Sequence, residues 1–170
     1  MRDLDKRGGR KTMKYLFYYD SEIGRVCIGE EDNYITNLYF RDENGIKDFE
    51  VKETPLIKEA KRQLDEYFAG DRKEFDLPLK AIGTDFQEKV WKELQEIPYG
   101  ETKSYGDIAA SIGIPKGPRA VGLANNRNPI SIFIPCHRVI GKNGKLVGYG
   151  GGLDLKEFLL DLEKKHRDSF

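Results

Sequence analysis

Metal and sulfur chemistry have few residues to draw on, because the 170-residue sequence holds only two cysteines, Cys27 and Cys136, and two histidines, His137 and His166. Four such residues fill no zinc site of familiar spacing without carboxylates, so no metal is expected. Long apolar runs are missing as well. Nothing approaches the ~20 residues that span a bilayer, and the charged opening has no apolar stretch behind it of the kind a secretory signal carries. These absences predict a chain with no membrane partner, in a reducing cytoplasmic compartment where both cysteines stay thiols. Glycine is plentiful, yet none of the glycine-rich phosphate-binding patterns occurs, which leaves no signal for a nucleotide or nicotinamide.

Net charge is zero, but its layout is uneven. Residues 1–107 hold 19 basic and 24 acidic side chains, and residues 154–170 hold 4 and 5. Between them, Ile108 to Leu153 carry six basic residues, Lys116, Arg119, Arg127, Arg138, Lys142 and Lys145, and no Asp or Glu. Such a field attracts phosphate whatever the total charge, while the acidic remainder discourages indiscriminate binding. Loops that lack acids by chance give the same distribution, so it needs support from a motif.

This length makes one domain or two small ones packed together. Residues 1–12 read as a disordered extension. The β-prone runs Tyr15–Tyr19, Arg25–Ile28, Tyr34–Phe40 and Ile46–Val51, separated by turn signals, predict an antiparallel meander. Thr54 and Pro55 predict a capped helix that buries Ile57, Ala60, Leu64 and Phe68 and ends at Gly70. Asp71 to Lys80 reads as a linker, with an α/β domain over 13–80 and a mostly helical one over 81–170.

In the second domain, Thr84 and Gln87 can form a capping box ahead of the stripe Phe86, Val90, Leu94 and Ile97. Ser104 caps a short run through Ile108, Ala109 and Ile112, and a Pro115–Pro118 turn leads to a second helix from Arg119 to about Arg127. That is the helix-turn-helix pattern, whose second helix enters a DNA groove, although similar hairpins occur in plain cores. The small residues Ala120, Gly122 and Ala124 would let this helix approach another surface closely. Arg138–Ile140 and Lys145–Val147 predict a small hairpin wing. A last helix runs from Asp154 to about His166 with Leu155, Phe158, Leu159 and Leu162 as its stripe.

Ile134-Pro-Cys-His-Arg-Val139 places a thiol beside an imidazole inside the basic segment. Thiolate is the reactive form, and with an ordinary pKa of about 8.5 a nucleophilic cysteine needs a cationic or hydrogen-bonding neighbour. His137 and Arg138 are candidates. Adjacent residues of an extended chain point opposite ways, so thiol and imidazole need a turn or a bridging water to communicate. A carboxylate would orient the imidazole, and the only acids after residue 107 lie on the final helix. Glu163, at the border of the apolar stripe, is the best placed, with a solvated acid as the competing reading. Cys27 reads as a small buried strand residue.

Pro135-Cys136-His137-Arg138-Val139, Tyr149 with Gly151-Gly152-Leu153, Asn128-Pro129 and Arg119-Ala120-Val121-Gly122 together resemble the O6-alkylguanine-DNA alkyltransferases, also called methylated-DNA–protein-cysteine methyltransferases. The similarity covers roughly residues 84–165. It implies a ribonuclease-H-like antiparallel sheet plus helix, followed by a mostly α C-terminal domain with helix-turn-helix and small wing. It further implies a monomer that binds double-stranded DNA, flips out O6-alkylguanine and transfers the alkyl group irreversibly to Cys136, with no cofactor. By the same resemblance His137, through a water and backed by Glu163, generates the thiolate, and Asn128 braces the active-site turn against the recognition helix. Arg119 enters the base stack as a finger. Tyr105 pushes the 3′ phosphate and bonds the flipped base. Ala120, Asn125, Asn126, Arg127 and Lys116 face DNA. Tyr149, Gly150 and Gly151 close the base pocket, with Arg138 beside them, and Val139 and Cys136 offer backbone carbonyls to the guanine amine.

Two departures stand out. Gly150 replaces a serine found in some relatives, leaving a backbone N–H for that contact, and Asn125 and Asn126 stand where apolar or small residues are frequent, predicting more polar groove contacts. The zinc ligands some relatives use in their N-terminal part cannot be assembled. The rival readings are a lesion sensor, although sensors of this kind lack the cysteine; a Cys-His-Glu hydrolase, which needs no basic groove; and a helix-turn-helix regulator in which the thiol is incidental.

Overall fold

The computed structural model describes residues 13–40 and 48–168. The expectation of an extension at 1–12, and the start of the fourth β-prone run at Ile46, fall outside those residues. Strands β1 (Lys14–Ser21), β2 (Gly24–Glu31) and β3 (Tyr34–Tyr39) form the expected meander. The β2–β3 turn places both central residues, Asp32 (φ 52°) and Asn33 (φ 67°), in the left-handed region. This is the backbone that matches strand twist in a two-residue hairpin, and Asp and Asn tolerate it best after glycine.

The fourth strand departs from the meander. β4 (Glu50–Val51) lies parallel to β1 at the opposite side of the sheet, giving the order β3-β2-β1-β4. The outer edge of β3 is already taken. Ile35 N–H donates to Pro78 O (2.8 Å), Lys80 N–H to Ile35 O (2.9 Å) and Leu38 N–H to Pro129 O (2.9 Å). The linker and the segment before Cys136 therefore satisfy the backbone groups that a fourth meander strand would have used. In this way the sheet also anchors the approach to the reactive cysteine.

Helix α1 (Pro55–Phe68) starts as expected: the Thr54 hydroxyl accepts from Ile57 N–H (3.1 Å) with Pro55 in the first turn. A cap of this kind stabilises a helix by about 1 kcal/mol. Its buried face is Ile57, Ala60, Leu64, Tyr67 and Phe68, which covers the sheet. Gly70 (φ 82°) ends the helix, and an added Cβ there would lie 2.4 Å from the His166 ring, so the end of the last helix packs directly on it.

The helical half comprises α2 (Asp85–Leu94), α3 (Tyr105–Ser111), α4 (Pro118–Asn126) and α5 (Leu153–His166). Thr84 and Gln87 form the reciprocal capping box, and Ser104 forms another with Asp107. The α3–α4 pair is the helix-turn-helix, with Gly113 (φ 85°) at the turn and Trp91 of α2 behind it, donating to Ala124 O (2.8 Å). The wing is a loop rather than a hairpin. Gly141 N–H donates to Lys145 O (2.8 Å), but Lys145–Val147 makes no strand, and β6 (Val139–Ile140) pairs instead, parallel, with β5 (Lys103–Ser104). On α5, Phe158 is 37% exposed while Lys156 is fully buried, so the stripe departs from the expected one at both positions.

Candidate active site

Two tight reversals deliver Cys136. Ile132, buried and β-branched, has φ 72°, and Phe133 N–H donates to Ser131 O (2.9 Å) across it. A γ-turn of this hand is rare and strained, at a cost of about 1–3 kcal/mol. Pro135 (φ −80°, ψ 63°) forms the inverse kind, with Cys136 N–H donating to Ile134 O (2.8 Å). The segment is braced from within: Asn128 Nδ2 donates to Ile134 O (2.8 Å), and Asn128 Oδ1 accepts from Ile130 N–H (3.0 Å). The tie to the recognition helix comes from Asn125, whose amide donates to Cys136 O (3.3 Å). Asn125 is therefore buried in the site instead of facing DNA, contrary to expectation. Its Cβ points along the inner face of α4 with Val121 and Ala124.

Cys136, His137 and Arg138 form one turn of 3-10 helix, which supplies the bend an extended Cys-His pair would lack. His137 Nε2 meets Glu163 Oε2 at 2.6 Å, both side chains buried. Glu163 also accepts from Arg138 Nε (2.8 Å) and Nη2 (3.1 Å), from Tyr67 Oη (2.6 Å) and from Gly100 N–H (3.1 Å). Burial pushes the Glu163 carboxyl up, but its interactions with His137 and Arg138 outweigh it and hold the group well below the usual carboxylate range. Burial pushes the His137 imidazole down. An ionised Glu163 beside a neutral imidazole requires the proton on Nε2, which leaves Nδ1 as the basic nitrogen. Nδ1 is buried and has no hydrogen-bond partner among the described residues.

The Arg138 guanidinium is spent on Glu163 and on Ile97 O (2.7 Å). It does not line the Cys136 cavity, so its expected place beside the base pocket is corrected: a buried carboxylate with several donors is a stronger partner for a guanidinium than an open pocket. The cavity beside Cys136 has a volume of about 210 Å³ and is lined by Tyr149, Gly150, Asn128, Ser131 and Phe40, with Asn126 and Arg127 at the exposed side. Tyr149 Oη is buried without a hydrogen-bond partner among the described residues, and its ring stands 5.8 Å from that of Phe40. Gly151 lies outside this cavity, where a Cβ would meet Leu155 and Phe40, so it allows close packing of the loop. Val139 is buried in its pairing with Lys103.

Burial pushes the Cys136 thiol up, against hydrogen bonds from Asn128 and Ser131 and the charge of Lys156. Lys156 was not legible as a site residue. Its ammonium donates to Val147 O (3.0 Å) and lies 5.9 Å from the Tyr105 ring centre. Burial lowers it to about 8, opposed by Cys136. Tyr105 Oη donates to the same Val147 carbonyl (2.9 Å). Beyond Tyr105 a groove of about 920 Å³ runs along the helix-turn-helix, lined by Arg119, Gly122, Leu123, Asn126, Lys142 and Val147. Arg119, Ala120, Lys116 and Arg127 are exposed. Asn126 lines both groove and cavity, so it stands at the border between them. Leu123, 67% exposed on α4, adds an apolar side chain to the groove that no motif in the sequence marks.

A buried thiol backed by histidine and carboxylate, beside a helix-turn-helix with a basic surface, defines a nucleic-acid-facing protein with a cysteine nucleophile. The chain belongs to the 6-O-methylguanine DNA methyltransferase family. The family's ribonuclease-like domain matches residues 14–81 and its DNA-binding domain residues 85–165. The constitutive methylated-DNA–protein-cysteine methyltransferase of Bacillus subtilis is 51% identical, over 89% of this chain and 96% of its own length. The methylated-DNA–protein-cysteine methyltransferase of Methanosarcina acetivorans is 53% identical, over 88% and 97%. Among solved structures, Mycobacterium tuberculosis OGT in complex with DNA superposes with a TM-score of 0.85 at 48% identity, covering 89% of this chain and 94% of that one.

Proposed function

We infer that this chain repairs O6-alkylguanine in duplex DNA by moving the alkyl group onto Cys136, once per molecule, as a cytoplasmic monomer without a cofactor. The observation that carries this reading is the contact of His137 Nε2 with Glu163, which leaves Nδ1 as a base within the turn that carries the thiol. The Cys136 proton passes to Nδ1 through a water, and Lys156 stabilises the thiolate by its charge. Sulfur attacks the alkyl carbon, a C–S bond forms, and the C–O6 bond breaks with its electron pair going to the purine, which takes up a proton. The product thioether has no acidic proton and is a poor leaving group, so the thiol is not regenerated.

An O6-alkyl group inside a duplex is out of reach of a side chain, and extruding the base costs a few kcal/mol. Arg119, exposed at the start of α4, enters the stack where the base leaves. Lys116, Ala120, Asn126 and Arg127 lie against the backbone and groove. Tyr105 takes the 3′ phosphate and the flipped base, and must release Val147 O to do so. Tyr149, Gly150 and the Val139 and Cys136 carbonyls hold the guanine, the Cys136 carbonyl exchanging the long contact from the Asn125 amide (3.3 Å) for the guanine amine. Incubation with a duplex carrying one O6-methylguanine tests the reading: one methylene of added mass per chain supports it, and tight lesion binding without mass gain replaces it by a lesion sensor.

A further inference from the structure

Resting on that reading, we propose that Ser131 is a further catalytic residue, whose hydroxyl donates a hydrogen bond to Cys136 Sγ as the thiolate forms and shares the negative charge with the Asn128 amide. Three observations carry it. Ser131 and Cys136 line the same cavity of about 210 Å³. Five residues apart, they are brought to one face by the strained reversal at Ile132 and by the bridge pairing Ser131 with Ile134. Ser131 and Asn128 both line the wall beside the sulfur, and both side chains act against the burial that pushes the Cys136 thiol up.

The donor count shows why a second partner matters. Asn128 Nδ2 already spends one N–H on Ile134 O (2.8 Å), so the amide has a single N–H left for sulfur. Asn125 is committed to the Cys136 carbonyl (3.3 Å). His137 Nδ1, as a base, takes a proton and offers no donor until it has done so. A hydroxyl rotates freely, so Ser131 can accept from the resting thiol and turn to donate once the proton has left. In a cavity that disfavours charge, each such donor acts directly on the reacting atom.

The test needs no DNA for its first readout, so it stands apart from the repair reading. In a Cys27→Ser background, the rate of iodoacetamide modification of Cys136 is followed against pH for the wild-type residue, Ser131→Ala and the shape-matched pair Ser131→Thr and Ser131→Val. Hydrogen bonds to charged groups are the strong ones, so loss of the hydroxyl moves the alkylation midpoint upward and slows the reaction at neutral pH by about tenfold. Ala and Val show that loss and Thr restores most of the rate. Single-turnover methyl transfer slows in the same order, with DNA affinity unchanged. A midpoint that stays in place in Ala, or that is equal in Thr and Val, overturns the proposal even where melting temperature and transfer rate fall. Should Ala fail to fold, the Thr and Val pair decides alone. A shifted midpoint with no methyl transfer by any variant upholds the contact and sinks the repair reading instead.

Discussion

Tyr67 Oη donates to Glu163 Oε2 at 2.6 Å, and that same oxygen meets His137 Nε2 at 2.6 Å. Tyr67 lies on α1 and Glu163 on α5, so the sheet domain reaches into the catalytic relay through one buried phenol. With Arg138 donating to both carboxylate oxygens, the Tyr67 contact helps to fix the orientation in which Glu163 holds the imidazole.

Tyr67→Phe therefore removes one hydrogen bond to a buried charge and should destabilise the protein by about 1.5–3 kcal/mol. Chemical denaturation measures this loss. Single-turnover transfer should slow as well, because Glu163 gains freedom. Unchanged stability would show the phenol to be a filler only.

Glu163 also sets an acid limit. Its carboxyl is held below the ordinary range, which means that the folded state binds fewer protons than the unfolded state at mildly acidic pH. The stabilisation is fully present above the unfolded carboxylate value of about 4.3 and is lost as pH falls from there through the folded value. Melting curves of wild type and Glu163→Gln should converge on acidification and diverge toward neutrality. Parallel curves would contradict the assignment.

Lys156, with its ammonium lowered to about 8 by burial, is charged below that pH and neutral above it. Only the charged form supports the thiolate. Lys156→Gln should slow Cys136 alkylation several-fold below the Lys156 titration and approach the wild-type rate above it. A uniform reduction across the pH range would assign Lys156 to packing of the Val147 loop alone.

Arg119→Ala should weaken base extrusion, so lesion transfer in duplex should suffer more than transfer in single-stranded DNA, where no partner strand holds the base. Equal losses on the two substrates would assign Arg119 to phosphate binding.

The local signals were the legible ones. Thr54 with Pro55, Thr84 with Gln87, and Ser104 each satisfy helix donors by chemistry confined to four residues, and all three caps are present. Cys136, His137 and Glu163 were legible because the thiol–imidazole pair is adjacent and only the last helix offers acids. What escaped depends on partners distant in sequence. β4 goes to β1 because residues 78–80 and Pro129 occupy the β3 edge, and no strand pattern encodes that competition. Asn125 turns inward for a carbonyl eleven residues away. Arg138 turns to Glu163 although it sits in the basic segment. Lys156 was hidden by its type: a lysine in the apolar phase of α5 reads as surface until Cys136 and the Val147 carbonyl are seen to face it.

The most direct measurement is intact-protein mass spectrometry after incubation with a duplex containing one O6-methylguanine, beside a Cys136→Ala control. Transfer to Cys136 gives a gain of one methylene on the wild type, stopping at one per chain, and none on the control. A wild-type mass that does not change, or a gain that persists in Cys136→Ala, would contradict transfer to this cysteine.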